Sequence, residues 1–196
     1  EFRRVLFRSG EAFDYVHVNL REGAQKSPDY LKINRLGQVP ALVDHSNGKV
    51  LCQSGAILEY LADKTGKFGG ASLDDRLRAR EWLFWGWDRF NAPVYRLRAW
   101  KLGFRQFEPA IIDLYQAERK AAFDVLEQFF AAGHDYLAGD HVTIADIDLY
   151  GVAALAHQGD YDVSVHPHVV SWMKRIEALP HFKSPDALLP HESRKA

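Results

Sequence analysis

A small α/β half followed by a larger all-helical half is the fold class this sequence predicts, and three observations carry the prediction. Two short apolar runs, Ala41-Leu42-Val43 and Val50-Leu51-Cys52, flank the turn-forming stretch Asp44-His45-Ser46-Asn47-Gly48, which reads as a β-hairpin. Beyond Lys67-Phe68-Gly69-Gly70-Ala71-Ser72 the strand patterns stop and long helical periods begin. Thr143 stands three residues before Asp146, at the head of a segment that is apolar nearly all round and reads as the buried centre of the helical half.

Composition narrows the function classes. With 47% hydrophobic and 26% charged residues, the 196-residue chain can bury a sizeable core. A formal net charge of -1 argues against nucleic-acid binding through bulk charge. The single cysteine, Cys52, excludes an internal disulfide and fits a reducing compartment such as the cytoplasm. No apolar run reaches membrane-spanning length, so no transmembrane helix is expected. Nine histidines occur, but no Cys/His cluster has zinc-site spacing. His166 and His168, flanking Pro167, read as a solvated turn at a helix start rather than a metal pair, and no metal is expected.

In chain order, residues 1–9 back-translate into a common sequencing-adapter sequence and read as non-native, with native sequence from about Gly10. The other reading makes them the end of a helix carrying Val5, Leu6 and Phe7. Residues 10–66 form the α/β domain, 67–73 the linker and 74–196 the helical domain. Alternation in Tyr15-Val16-His17-Val18-Asn19-Leu20 predicts a strand. Ser27-Pro28 then opens a short helix, serine as cap and proline at the first helical position. Gly37-Gln38-Val39-Pro40 makes a turn into the hairpin, and Gln53-Ser54 ends its second strand and starts a helix whose buried face is Ile57, Leu58 and Leu61. This layout can build a small site from main chain: a turn beside a strand edge, and a helix N-terminus aimed at the same place. Cys52, at an apolar strand end, reads as structural before it reads as a nucleophile.

The helical domain begins with a long aromatic helix from about Leu73 to Leu102, bent near Pro93. A second helix runs from about Pro109 to Ala131, with apolar positions Ile112, Tyr115, Ala122, Val125, Leu126 and Phe129. Thr143 caps the buried helix, Asp146 bonds back to the cap, and Val142 and Ile147 stand at staple positions. A last amphipathic helix from about His168 to Leu179 presents Val169, Trp172, Met173, Ile176 and Leu179, and the polar tail after Pro190 reads as frayed.

Taken together, Gly37-Gln38-Val39-Pro40-Ala41-Leu42, Gln53-Ser54-Gly55-Ala56-Ile57 with Tyr60-Leu61, and Thr143-Ile144-Ala145-Asp146 resemble, in this order and spacing, the soluble glutathione S-transferase family. Leu20-Arg21-Glu22-Gly23 through Ser27-Pro28 is similar to its bacterial and theta-related branches. The resemblance implies a thioredoxin-like N-terminal domain and glutathione as co-substrate. It implies a cis bond before Pro40 that turns the Val39 N–H and C=O toward an extended peptide. It places the γ-glutamyl group on Gln53 and on Ser54, the latter as helix N-cap and ligand donor, and the glycyl carboxylate near Gln38 and Gln25. Glutamine at position 53, where many relatives have glutamate, loses an ion pair with the ligand's ammonium group. Trp85, Arg89, Tyr95 and Arg96 become acceptor-site candidates, while Thr143 and Asp146 are structural. The family's first strand, most of its first helix and the Tyr, Ser or Cys that activates the glutathione sulfur are expected upstream of the recognisable elements, so no catalytic residue is assigned. The implied activity is conjugation of glutathione to a small hydrophobic electrophile by a homodimer. The alternatives are a glutathione-dependent reductase, peroxidase or isomerase on the same site, or a non-catalytic binding module.

Overall fold

The computed structural model describes residues 13–180 and 182. The non-native reading of residues 1–9 and the frayed tail lie outside them. The chain divides into two compact units, the first ending at Lys67 and the second spanning Phe68–Phe182.

In the first unit a 3₁₀ turn, Ala24–Lys26, precedes helix α1, Pro28–Ile33. Ser27 caps α1 as expected, its hydroxyl accepting the Tyr30 N–H at 3.3 Å, with Pro28 inside the first turn. Strands β1 (Ala41–Asp44) and β2 (Lys49–Cys52) pair antiparallel in the register Ala41↔Cys52 through Asp44↔Lys49. Helix α2, Ser54–Thr65, buries Ile57, Leu58 and Leu61. The expected strand over residues 15–20 does not form. A strand needs a neighbour to take its backbone groups, and the sheet among the described residues is β1 and β2 alone. Residues 15–18 therefore have no assigned ladder, and Val16 is 78% exposed. Asn19 then starts a turn, its side chain accepting from the Arg21 and Glu22 N–H groups.

Asp44 latches the hairpin to α2. Its buried carboxylate accepts from the Ser46 hydroxyl at 2.6 Å, the Ser46 N–H at 2.9 Å, Lys64 Nζ at 2.5 Å and the Tyr60 hydroxyl. Hydrogen bonds from Lys64, Ser46 and Tyr60 hold its carboxyl far below the usual range. A carboxyl depressed in the folded state contributes stability above its unfolded pKa, and the contribution is lost as pH falls through the folded value. Asp44→Asn is therefore expected to be less stable than the parent at pH 7, with the gap closing as pH drops below about 4. Parallel thermal melts of the two proteins across that range check this; a pH-independent gap would contradict it.

The second unit carries helices α3 (Leu73–Trp85), α4 (Asn91–Lys101), α5 (Pro109–Ala131), α6 (Ile144–Ala153) and α7 (Pro167–Glu177). The bounds of α5 are those the sequence predicts. The single long helix expected from Leu73 to Leu102 is interrupted by a π-helical segment, Gly86–Phe90, upstream of Pro93. Pro93 has no N–H to give and its ring would crowd the carbonyl four residues back. A wider turn just before it, in which the Asn91 N–H bonds the Gly86 carbonyl, opens the ladder there. Gly86 also admits α6: a Cβ at Gly86 would lie 2.7 Å from Leu149 Cδ1.

All ten residues of α6 are buried, as its apolar circumference predicts. Two of them are aspartates, each answered by donors. Asp148 accepts from Trp87 Nε1 at 3.0 Å and Asn91 Nδ2 at 3.1 Å, tying α6 to the π segment. Asp146 closes the helix start by accepting the Thr143 N–H at 2.9 Å and the Thr143 hydroxyl at 3.1 Å. Its other oxygen accepts the Leu137 N–H at 2.9 Å and Trp172 Nε1 at 3.0 Å. Burial pushes this carboxyl up, and the four donors pull it back part of the way.

Two sequence expectations are corrected here. Val125 is 42% exposed; the buried face of α5 runs through Arg119, Ala122, Phe123, Leu126 and Phe130 instead. The phase differs because α5 packs against both α4 and α7. His166 is not a solvated turn residue: it is 4% exposed, stacks on Phe123, and its Nε2 meets the Tyr161 hydroxyl at 2.8 Å. Arg119 completes the cluster, 4.4 Å over the Tyr161 ring and donating to the Gly159 carbonyl at 2.7 Å. Burial pushes the Tyr161 phenol up to about 12, so it stays protonated. His168, the other member of the pair, is exposed and bonds Glu127 through Nδ1 at 2.7 Å. Among the described residues no group of His, Cys, Asp and Glu is placed to hold a metal ion.

Candidate functional site

The hairpin register brings the predicted site residues to one end of the first unit. Ala41 pairs with Cys52, so Pro40 and Val39, running back from Ala41, leave the ladder at the end where Gln53 and Ser54 continue from Cys52. Paired strands lie about 4.8 Å apart, so a ligand of a few residues can reach both chains. The Val39–Pro40 bond is cis, as the resemblance implies. Val39 is 43% exposed, and among the described residues its N–H and C=O make no hydrogen bond. One donor and one acceptor of the main chain thus stand open, as an extended peptide requires.

The opposite side of this end is the start of α2. The sequence reading makes Ser54 the N-cap; the structure makes it the first helical residue, with Gln53 at the cap position and no side-chain cap bond. The reason is backbone geometry. Gln53 stands at φ 80°, ψ 123°, and its carbonyl accepts the Ile57 N–H at 3.1 Å, the first bond of the helix. A positive φ is unfavourable for a residue with a Cβ, and such strain concentrates at binding sites. Ser54 Oγ has no hydrogen-bond partner among the described residues, and the first N–H groups of any helix lack intrahelical acceptors. Hydroxyl, open N–H groups and the positive helix end together suit a carboxylate.

Gln25 and Gln38 flank the same loop. Gln25 lies on the 3₁₀ turn, and a Cβ at Gly37 would sit 3.0 Å from the Gln25 carbonyl and 2.8 Å from Lys26 Nζ. Gly37 also stands at φ +57°, so close approach and backbone both call for glycine. Lys26 Nζ donates to the Leu36 carbonyl at 3.2 Å. Gln38 presents an exposed side chain, while its carbonyl accepts Tyr30 Oη and Asn34 Nδ2, each at 2.7 Å. Sequence reasoning missed Tyr30, Asn34 and Lys26. Their bonds to the loop depend on how α1 and the turn before it meet the loop, which no local pattern specifies.

Cys52 is half-buried and its thiol donates to the Ile33 carbonyl at 3.6 Å, which fits the structural reading. It lines a cavity of about 400 Å³ between residues 32–36 and 50–53, which borders the site at Gln53 but excludes Val39 and Ser54. Of the acceptor-site candidates in the second unit, Trp85 stacks on Phe90 at 6.0 Å, Arg89 pairs with Asp88 at 2.7 Å, and Arg96 sits 4.9 Å over the Tyr115 ring. Tyr95 is half-buried on α4. Thr143 and Asp146 lie in the hydrogen-bond network at the start of α6 described above.

The chain is similar to known proteins in both sequence and fold. Residues 1–63 match the N-terminal domain and residues 110–180 the C-terminal domain of glutathione S-transferase. The chain is 33% identical to glutathione S-transferase 3 of Zea mays over 95% of its own length and 87% of that protein's. It is 31% identical to the disulfide-bond oxidoreductase YfcG of Escherichia coli K12, covering 90% of this chain and 85% of that one. Among solved structures, a glutathione S-transferase from Xanthobacter autotrophicus Py2 superposes with a TM-score of 0.85 at 31% identity, over 95% of this chain and 91% of that one.

Proposed function

The chain belongs to the glutathione S-transferase family, and from that membership we propose that it binds glutathione at the Val39–Ser54 end of its first unit and transfers it to a small hydrophobic electrophile. The observation that carries the binding step is the pairing of open main-chain groups on Val39 with an unengaged Ser54 hydroxyl at a helix start. The cysteinyl main chain adds to Val39 as a short strand. The γ-glutamyl carboxylate sits against Ser54 and the first N–H groups of α2, and Gln53 takes the neighbouring ammonium. The glycyl carboxylate lies toward Gln38 and Gln25. Trp85, Arg89, Tyr95 and Arg96 border the acceptor. No described residue is assigned to activating the thiol. The protein works as a homodimer in the cytoplasm; the exposed apolar stripe Leu73, Leu77 and Phe84 on α3 supports a partner surface, and a lone cysteine supports the compartment.

Calorimetric titration tests the binding step. Glutathione is expected to bind saturably, and its isomer with an α-linked glutamate about ten-fold more weakly, because the misplaced carboxylate misses its charge-assisted bonds. Equal affinity for the two, or no saturable binding of glutathione, would overturn the reading. The likeness to YfcG favours a second reading, glutathione-dependent disulfide reduction on the same site. Turnover of a mixed disulfide in the absence of conjugation to electrophiles would select it.

A further inference from the structure

We propose that Tyr30 and Asn34 are positioning residues for glutathione, setting the direction of the Val39 N–H that pairs with its cysteinyl carbonyl. This rests on the functional reading above and deepens it. Tyr30 lies on α1 and Asn34 at its C-terminal cap, four residues on and so on the same face. Both donate to one oxygen, the Gln38 carbonyl, at 2.7 Å each. That carbonyl and the Val39 N–H belong to a single peptide unit, and the only cis bond among the described residues is the next one, Val39–Pro40. In a trans unit C=O and N–H point in opposite directions. Anchoring the oxygen from α1 therefore fixes the plane and turns the Val39 N–H away from α1, where no described group takes it up. A carbonyl that accepts two hydrogen bonds also polarises its amide, strengthening the N–H as a donor.

Asn34 is held in place. Asn34 is 2% exposed, and its Oδ1 accepts the Leu36 N–H at 3.0 Å, which fixes the amide end that faces Gln38. Burial, with the neighbouring Cys52, raises the Tyr30 phenol, so it remains a donor at physiological pH. Loop stability alone does not require the arrangement. The loop is already closed by the Gly37 N–H on the Asn34 carbonyl at 2.8 Å and by Lys26 Nζ on the Leu36 carbonyl at 3.2 Å.

The test is Tyr30→Phe, which removes one hydroxyl and keeps the ring. It is titrated with glutathione and with γ-glutamylcysteamine, which lacks the cysteinyl carbonyl. The variant is expected to bind glutathione about five-fold more weakly and γ-glutamylcysteamine as the parent does. In the unliganded protein the Val39 amide resonance should move while that of Ser54 stays in place. Asn34→Asp keeps the acceptor for the Leu36 N–H and removes the donor to Gln38, so it should reproduce the pattern with a larger loss. Equal weakening toward both ligands, unchanged glutathione affinity, or an unmoved Val39 resonance would overturn this inference alone. Failure of the parent to bind glutathione would overturn it together with the functional reading.

Discussion

Asp146→Asn is expected to lower the unfolding free energy by about 3–5 kcal/mol and the melting temperature by roughly 10 °C. The carboxylate is fully buried and each oxygen accepts two hydrogen bonds, one pair from Thr143 and the other from Leu137 and Trp172. Asparagine keeps the shape but has only one acceptor oxygen. Its amide must face either the Thr143 N–H and hydroxyl or the Leu137 N–H and the Trp172 indole N–H, and the N–H donors on that side are left buried without partners. Asp146→Ala removes the conflict and still strands the donors, so it should be similarly unstable. Thermal melts followed by circular dichroism read the effect. A shift below about 2 °C for both variants would show that Asp146 is only a local cap, worth about 1 kcal/mol.

Ser54→Ala is expected to weaken glutathione binding about ten-fold or more while leaving the melting temperature nearly unchanged. The binding loss follows from removing a hydroxyl that would meet a carboxylate, since hydrogen bonds to charged groups are worth about 1.5–3 kcal/mol. The neutral stability follows from the backbone. Ser54 is the first residue of α2 rather than its cap, and its hydroxyl satisfies no helix donor. A capping serine would instead cost about 1 kcal/mol on truncation. Calorimetry and thermal melts on the same variant separate the two roles: lost stability with intact binding would make Ser54 a cap and not a ligand donor.

These two residues show where sequence reasoning reached and where it stopped. Thr143 and Asp146 were legible as a cap because the pairing spans three residues. The other two donors to Asp146 were not, because Trp172 lies 26 residues away and Leu137 nine residues back. At Ser54 the residue types pointed to a helix start, yet the positive φ of Gln53 moved the boundary by one residue. The alternation at residues 15–20 was real, but a strand is a property of a pair, and no described strand pairs with it. Pro93 announced an irregular helix; the π segment lies upstream of it, beginning seven residues earlier where Gly86 makes room for Leu149.

By itself, the sequence determined what depends on neighbours a few residues apart: the Ser27-Pro28 start, the hairpin across Asp44–Gly48, the bounds of α5 and the burial of α6. Turn chemistry, capping and periodicity act over that range, and they sufficed to place Val39, Gln53 and Ser54 together. Only the tertiary structure decided how the site is held. Two side chains of α1 converge on one carbonyl, a buried aspartate gathers donors from three segments, and His166 enters an aromatic stack rather than solvent. Hydrogen bonds and ring contacts of that kind depend on which surfaces meet, and no local pattern in the chain specifies that.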